Sequence, residues 1–304
     1  MSEVGDAGNT PFEIVEAHKD EFSVSMMCRV LEVSRAGYYA WREREPSARA
    51  QQNVELVAEI TEIHQKSRGT YGSPRVHAEL RERGFEVSRK RVEKQMRDQG
   101  LFGRRRPKYR KTTDSNHDEP IAPNIVAREF TVDEPDRVWV ADITYIWTVQ
   151  GWMYLAVVID LFSRRVVGWS MADHMRVDLV LGALAAALGK RVPSAAGLVF
   201  HSDRGSQYAA KDYRAALEAA GITCSMSRRG NCWDNAVAES FFATLKTELV
   251  HDVLFTSREA AKTTIAEWIE IFYNGQRRHS SLDYLSPLEF ERRYYENVER
   301  EEAA

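Results

Sequence analysis

Three apolar segments joined by very short connections constrain the fold of this chain more than any other feature of its sequence. They cover residues 137–148, 152–163 and 166–172, and only two to four residues separate each from the next. Apolar runs of this length with such short turns predict consecutive antiparallel β-strands, because a parallel pair needs a much longer crossover. The centre of the chain is therefore expected to form a β-meander.

Helical and strand patterns alternate after the meander. A helix is expected over 176–190, a short strand ending at Phe200, a helix over 208–220, a strand over 222–227 and a helix over 235–250. The order β-β-β-α-β-α-β-α is typical of a mixed α/β domain built on one central sheet.

The first hundred residues contain a different pattern, of short helices joined by tight turns. Ser73 is a predicted N-cap with Pro74 at the first helical position, and Gly84 ends that helix. Ser88 is the predicted cap of a second, more basic helix. Two short helices and a tight turn match the helix-turn-helix, whose second helix enters the major groove of DNA. An earlier pair over 22–44 has the same pattern.

Positive charge is concentrated between residues 88 and 111, although the whole chain carries a net charge of -3. This segment holds eleven basic and two acidic residues, a net charge of +9. Such a segment would attract a polyanion, but a solvated helix face followed by a basic linker would have the same composition. The candidate DNA-contacting residues are Arg89, Lys90, Arg91, Lys94, Arg104, Arg105 and Arg106.

A polar stretch with two prolines, 111–124, separates the helical and α/β patterns and is a predicted linker. The expected domain organisation has five parts. They are an N-terminal helical segment (1–50), a helix-turn-helix domain (51–112), a linker (113–130), the α/β domain (131–275) and a C-terminal basic motif with a tail (276–304).

Three carboxylates are the candidate catalytic residues. Asp142 lies inside the first predicted strand and Asp203 at the end of the fourth, where each could also be a hydrogen-bonded structural or turn residue. Glu239 lies on the last helix of the α/β domain, and Lys246 projects about 20° from it on the helical wheel. Both could reach a cleft beside the sheet, or could be unrelated surface residues.

The spacing of these acids carries a family resemblance, because 35 residues separate Asp203 from Glu239. That pattern resembles the aspartate-aspartate-glutamate triad of the retroviral-integrase superfamily. The stretches that carry the resemblance further are WVADITYI, YLAVVIDLFSRRVVGW, HSDRGSQY, SRRGNCWDNAVAESFFATLKTEL, YNGQRRHSSLDYLSPLEF and YGSPRVHAELRERGFEVSRKRVEKQMRDQGL. Together they narrow the resemblance to the second-frame product of the IS-three (IS3) family of insertion-sequence transposases, over roughly residues 22–292.

The resemblance implies a ribonuclease-H-like fold with a mixed five-stranded sheet, preceded by an all-α helix-turn-helix region. Asp142, Asp203 and Glu239 would bind two Mg²⁺ or Mn²⁺ ions, since these cations prefer oxygen ligands. The implied reaction is hydrolysis that frees a 3′-OH at the element's end, followed by its joining to DNA. The residues implied to contact DNA are Lys246, Asn235, Arg277, Arg278 and His279.

The expected partners are DNA, both terminal inverted repeats and target, and at least one further copy of the chain. Pairing two DNA ends demands a dimer at least. The resemblance also leaves room for an upstream-frame protein or a frameshift fusion, because residues 1–21 show no leucine-zipper heptads. No stretch is apolar enough to span a membrane, and three scattered cysteines suit a reducing compartment. We therefore expect a cytoplasmic, nucleoid-associated protein.

Two other functions are compatible with parts of this pattern. A ribonuclease-H-type nuclease would share the carboxylates but only hydrolyse, and it would not need the helix-turn-helix modules. A non-catalytic DNA-binding regulator would use those modules and leave the three acids unexplained. Joined DNA products in the presence of Mg²⁺ would distinguish a transposase from both.

Overall fold

The structure is a computed structural model, and it divides the chain into two compact units, up to Glu59 and from Ile60 onward. Among the residues that the structure describes, no helix is both long and apolar enough to cross a membrane. The boundaries of the five predicted parts do not coincide with this division and stay predictions. The residues that the structure describes are 10–45, 47–104, 121–126, 132–191, 197–228 and 235–304.

The first unit contains three short helices, α1 (Pro11–Ala17), α2 (Val24–Val30) and α3 (Arg35–Glu43). Each follows a serine or threonine whose side-chain oxygen accepts a backbone N–H three residues later, which satisfies one of the open donors of the first turn. The helices close over a small core made by Val15, Met27, Cys28 and Tyr38.

Helix α4 (Ala48–Lys66) precedes the predicted helix-turn-helix, which is present as α5 (Ser73–Glu82) and α6 (Arg89–Asp98). Gly84 has a φ of +85°, so it ends α5 in the left-handed conformation expected of a C-terminal glycine. Ser88 accepts the Arg91 N–H at 3.3 Å and caps α6 as predicted.

The predicted cap of α5 was wrong by one residue. The helix already begins at Ser73, Gly72 occupies the cap position, and no side chain caps this helix. The Arg75 and Val76 N–H groups both donate to the Gly72 carbonyl oxygen, at 3.1 and 3.2 Å, so the first hydrogen-bonded turn starts at Gly72 and not at Ser73.

The second unit is built on a five-stranded sheet in the order β3-β2-β1-β4-β5. The first three strands are antiparallel neighbours, and β4 and β5 run parallel to β1. The mixed sheet and its meander are therefore as the sequence predicted. The strands are β1 (Val138–Thr148), β2 (Gly151–Asp160), β3 (Val166–Ala172), β4 (Val199–Ser202) and β5 (Thr223–Met226).

Helices cover the sheet, and a large core forms between one of its faces and α7, α8 and α9. The helix predicted over 208–220 is two helices, because Ala210 has extended backbone between them. On a continuous helix Tyr208 and Tyr213 would point about 140° apart, but the break lets both enter this core. The helices are α7 (Val177–Lys190), α8 (Ser206–Ala209), α9 (Lys211–Ala219), α10 (Ala236–Glu248), α11 (Arg258–Glu267) and α12 (Pro287–Glu302).

Gly168 on β3 allows α7 to lie directly on the sheet. A Cβ atom at this position would lie 2.3 Å from the Ala183 carbonyl oxygen and 2.6 Å from the Ala187 nitrogen, both backbone atoms of α7. A side chain here would therefore push the helix away from the strand.

Candidate active site

The parallel pairing of β1 with β4 places two of the candidate carboxylates next to each other. Ala141 and Ser202 are the last register partners of these strands. Asp142 directly follows Ala141, and Asp203 directly follows Ser202. Both carboxylates therefore lie where the β1/β4 pairing stops. This is the arrangement in which side chains from adjacent strands can converge on one ligand.

Backbone N–H groups orient both aspartates. The Ile143 N–H donates to Asp142 Oδ1 at 2.7 Å, and the Gly205 N–H donates to Asp203 Oδ1 at 2.9 Å. Each carboxylate therefore has one oxygen bonded to the backbone close to it in sequence. Both aspartates are half-buried, so neither is a fully solvated surface charge.

The electrostatics of Asp142 join the three acids into one site. Burial raises the pKa of Asp142 well above its usual range, and the negative charge of Asp203 raises it further. Glu239 also raises this pKa, whereas the Ile143 hydrogen bond and the charge of Lys246 lower it. The acids are thus close enough to disfavour each other's charged forms.

Helix α10 packs against β1 and supplies the remaining members of the site, Glu239 and Lys246. The Lys246 Nζ lies 4.6 Å from the centre of the Tyr145 ring, a cation-π distance. Burial lowers the pKa of Lys246, and the nearby Asp142 raises it. The lysine is therefore a partly desolvated positive charge beside the carboxylates.

The donor set fits a hard divalent cation. Three carboxylates offer only oxygen ligands, and the mutual repulsion that raises the pKa of Asp142 is an interaction that a bound cation offsets. Within the described residues, however, no three acidic, histidine or cysteine side chains are close enough as they stand to hold a metal ion. The carboxylates share an electrostatic site without having converged to coordination distance.

Comparison with known proteins agrees with this organisation. A family model for the integrase core domain matches residues 132–232, a second integrase-core model matches 220–287, and a model for an HTH-like domain matches 51–109. The chain is 46% identical to the insertion element IS600 uncharacterized 31 kDa protein of Shigella sonnei, over 89% of this chain and 99% of the relative. It is 40% identical to transposase InsF for insertion sequence IS3A of Escherichia coli, over 92% and 98% of the two chains.

The chain belongs to the IS3 family of insertion-sequence transposases.

This IS3-family chain is also similar to solved retroviral proteins. It matches a chain of a simian T-cell lymphotropic virus intasome with a TM-score of 0.45 and 16% identity, over 76% of this chain and 74% of that one. It matches the HTLV-2 integrase catalytic core in complex with magnesium with a TM-score of 0.39 and 16% identity, over 52% and 97%. The ribonuclease-H-like fold rests on the integrase-core match and the sheet order.

Asn235, a predicted nucleotide contact, is buried at the start of α10 in the transposase. Its Nδ2 donates to the Ala141 carbonyl oxygen at 3.1 Å, where β1 leaves its pairing with β4. Its Oδ1 is buried and has no hydrogen-bond partner among the described residues. The side chain therefore ties α10 to β1, and its contact with DNA stays a prediction.

The basic motif of the transposase at 277–279 is turned inward. Arg277 donates from Nε and Nη2 to Glu248, and its side chain is 3% exposed. Arg278 pairs with Glu79 and Glu82 of α5, and the His279 side chain is buried against Tyr273. Tertiary ion pairs therefore occupy the charges of Arg277 and Arg278, and the predicted phosphate contacts of this motif stay predictions.

The basic residues of α6 have the opposite placement. Arg89, Lys90 and Lys94 are exposed, while Val92 and Met96 face the core, so the helix presents a charged outer face. Lys94 also pairs with Asp98 at 2.6 Å.

The other predicted basic contacts are less available. Arg91 is half-buried. Arg104 pairs with Asp252 and donates to the Thr247 carbonyl oxygen at 3.0 Å. Arg105 and Arg106 lie outside the described residues.

Tyr145 is a site residue that sequence reasoning missed. Its ring lies under Lys246, and Trp147 and Trp152 pack against each other beside it. The signal was present in β1, where the alternating positions of Tyr145 and Trp147 place large aromatic rings on one face. Nothing in the sequence shows that this part of the face stays exposed.

Proposed function

We propose that this chain is a transposase of the aspartate-aspartate-glutamate type, which cleaves DNA at the ends of its insertion sequence to free 3′-OH groups and joins them to target DNA. The observation that carries this proposal is the adjacency of Asp142 and Asp203 at the end of the β1/β4 pairing, with the charges of Glu239 and Lys246 acting on the same carboxyl group. Phosphoryl transfer is catalysed mainly by positioning and electrostatics, which such a cluster can supply.

The proposed metal ligands are Asp142, Asp203 and Glu239, holding two Mg²⁺ or Mn²⁺ ions. When bound, two such ions stabilise the charge on the attacking and leaving oxygens of a phosphodiester. The backbone bonds from Ile143 and Gly205 hold one oxygen of each aspartate and so fix the direction of the other. The raised pKa of Asp142 favours its protonated form. A bound cation would displace this proton and leave the carboxylate as its ligand.

Lys246 is the proposed phosphate contact of the site. It is positively charged, partly desolvated and electrostatically linked to Asp142, so it would bind a non-bridging oxygen of the phosphate that lies over the carboxylates. The aromatic ring of Tyr145 lies on its other side and limits its movement.

The helix-turn-helix is the proposed module for DNA recognition. Helix α6 presents Arg89, Lys90 and Lys94 outward, as a helix that enters a major groove requires. We further propose that at least two protomers assemble on paired DNA ends, alone or with an upstream-frame protein, and that the protein works on the nucleoid.

The test is strand transfer with labelled DNA carrying the element's own inverted repeats, in Mg²⁺ or Mn²⁺. Glu239→Gln keeps the shape of the side chain and removes the ligand charge. We expect joined product from the wild type, none from the variant, and equal DNA binding by both. Nicked DNA without joining would favour a nuclease. Binding without any cleavage, also by a protein fused to its upstream frame, would favour a regulator and end this proposal.

A further inference from the structure

An aromatic cluster lies on the β1/β2 hairpin next to the candidate active site, and its two tryptophans have no part in the proposed chemistry. We define the aromatic hairpin as Tyr145, Trp147 and Trp152. These side chains are 40%, 52% and 45% exposed, which is unusual for rings of this size. The ring centroids of Trp147 and Trp152 are 4.9 Å apart, and those of Tyr145 and Trp152 are 5.2 Å apart, in edge-to-face contacts.

Strand geometry explains why these rings are exposed. Trp147 and Trp152 are direct register partners, and Tyr145 and Tyr154 are the next pair on the same face. Ile143 and Tyr154 still pack against the core under α7, but the core does not extend to Trp147 and Trp152. The hairpin therefore continues past the end of the layer that covers the sheet.

The hairpin is also held rigid. The Val149 N–H donates to the Phe255 carbonyl oxygen at 2.9 Å, and the Arg258 N–H donates to the Gln150 side chain at 3.0 Å. Arg258 also donates from its Nε to the Trp152 carbonyl oxygen at 3.3 Å. A surface that is aromatic and held in place loses little entropy when a ligand covers it.

Lys246 links the aromatic hairpin to the candidate active site. Asp142 and Tyr145 lie on the same strand, about 10 Å apart along its axis, and strand alternation directs their side chains to opposite faces of the sheet. Lys246 bridges the two regions, since it contacts the Tyr145 ring and acts on Asp142. The pairing of β1 with β4 stops at Ala141, so a DNA strand whose phosphate lay at the carboxylates could cross this edge of β1 at Lys246 and reach the rings within a few nucleotides.

We propose that the aromatic hairpin stacks unpaired nucleobases of the DNA strand that enters the candidate active site. The inference rests on the proposed function, because it takes the carboxylates as the place where the DNA phosphate binds. Aromatic rings beside cationic groups are the surface that single-stranded DNA-binding proteins use, and stacking tolerates any base. Here Lys246 and Arg258 are the cations, although Arg258 also faces Asp173 at 3.5 Å.

A second protomer could also cover an exposed apolar surface. The cations at the border of the aromatic hairpin, and its link to the carboxylates through Lys246, favour nucleic acid instead. The two occupants give different results in the experiment below.

The experiment measures binding of the full-length protein to two fluorescent probes, without divalent metal. One is an oligothymidine of about 12 nucleotides, within the site sizes of stacking proteins. The other is a random-sequence duplex of the same length. The variants are Trp147→Ala, Trp152→Ala and Trp147→Phe. The control is Tyr295→Ala, which removes a comparably exposed ring on α12.

We expect each alanine variant to weaken oligothymidine binding by about fivefold or more, and to change duplex binding by less than about twofold. Trp147→Phe keeps a stacking face and should retain most of the affinity, and Tyr295→Ala should behave as the wild type. Wild-type affinity of both alanine variants for oligothymidine would overturn the proposal. So would an altered oligomeric state in sedimentation with unchanged oligothymidine binding, because it would assign the surface to a second protomer.

This readout is independent of catalysis. Glu239→Gln should bind oligothymidine normally while it fails to join DNA. If no protein joins DNA but the tryptophan variants lose oligothymidine binding, the proposed function fails and the binding surface remains. If the wild type joins DNA and the tryptophan variants bind normally, the stacking proposal alone fails.

Discussion

Arg277 and Glu248 form a buried ion pair with two hydrogen bonds, from Nε to Oε2 at 2.8 Å and from Nη2 to Oε1 at 2.7 Å. Glu248 is the last residue of α10, the helix that carries Glu239 and Lys246. Arg75 of the helix-turn-helix region approaches the same carboxylate at 3.7 Å. The pair thus fastens the C-terminal segment and the helix-turn-helix region to the end of the candidate catalytic helix.

Removing one partner of this pair should be strongly destabilising. Arg277→Ala should lower the free energy of unfolding by about 3–5 kcal/mol, since it leaves the Glu248 charge buried without its main partner. The double change Arg277→Met with Glu248→Leu should recover much of that loss, because neither charge remains. Urea unfolding of the wild type, Arg277→Ala and the double variant measures these free energies. Arg292→Ala removes an exposed partner of Glu289 and should have little effect. An equal loss of stability in Arg277→Ala and Arg292→Ala would contradict a stabilising role of the buried pair.

Asp142 should destabilise the metal-free fold. Burial and the charge of Asp203 raise its pKa, so Asp142→Asn should raise the metal-free melting temperature while it abolishes DNA joining. Mg²⁺ should raise the melting temperature of the wild type and leave that of the variant nearly unchanged. Thermal unfolding with and without Mg²⁺ tests both statements. Equal stabilisation of both proteins by Mg²⁺ would place the ion elsewhere.

Asp160 should give the transposase a pH-dependent stability. Burial raises its pKa to about 6, despite hydrogen bonds from Ser163 and Asp136. Because the folded state holds the proton more tightly than the unfolded state, its contribution is greatest below about pH 4. It is lost as the pH rises to about 6, by about 3 kcal/mol in total.

The measurement for Asp160 is the free energy of unfolding at several pH values. The fall between about pH 4 and 6 should be smaller in Asp160→Asn than in the wild type. Glu289→Gln provides a smaller effect of opposite sign, because Arg292 and Arg293 lower the pKa of Glu289 to about 2 while solvent screens these exposed arginines. The stability that Glu289 contributes is present above its unfolded pKa and is lost as the pH falls toward about 2. Parallel pH curves for wild type and Asp160→Asn would refute the role of Asp160.

Gly168→Ala should disrupt the contact between β3 and α7. The new methyl group would meet two backbone atoms of α7, so the cost should reach or exceed about 3 kcal/mol. Gly189→Ala is the matched control on α7, because nothing lies within 4 Å of its added Cβ. It should stabilise the helix by up to about 1 kcal/mol. Chemical denaturation of both proteins decides the point, and tolerance of Gly168→Ala would show that α7 can shift freely.

The sequence allowed the fold and the position of the candidate site to be predicted for reasons that are local. The meander follows from apolar runs with short turns, and the placement of Asp142 and Asp203 follows from where their strands lie. The ion pairing of Arg277 and Arg278 could not be predicted. Their partners Glu248 and Glu79 lie 29 and 199 residues away in sequence, and a basic run looks the same whether it faces solvent or an acidic partner.

The exposure of the aromatic hairpin could not be predicted from the sequence either. Alternation in β1 assigns Tyr145 and Trp147 to one face of the sheet, and such rings are usually core. Their exposure depends on where the layer under α7 ends, and no residue of β1 encodes that. The break at Ala210 was missed for a related reason, because only the packed core requires Tyr208 and Tyr213 on the same side.

The Ala141–Ser202 pairing has a consequence for how such a protein can change through its history. The separation of Asp142 and Asp203 is set by the ladder between β1 and β4, although β2, β3 and α7 lie between these strands in the sequence. Insertions and deletions in the loops that join these elements can therefore accumulate without moving the carboxylates. A slip of one residue within either strand would turn a carboxylate to the opposite face of the sheet. Related proteins can therefore keep this site as long as they keep the strand register, even where the lengths of the connecting loops differ.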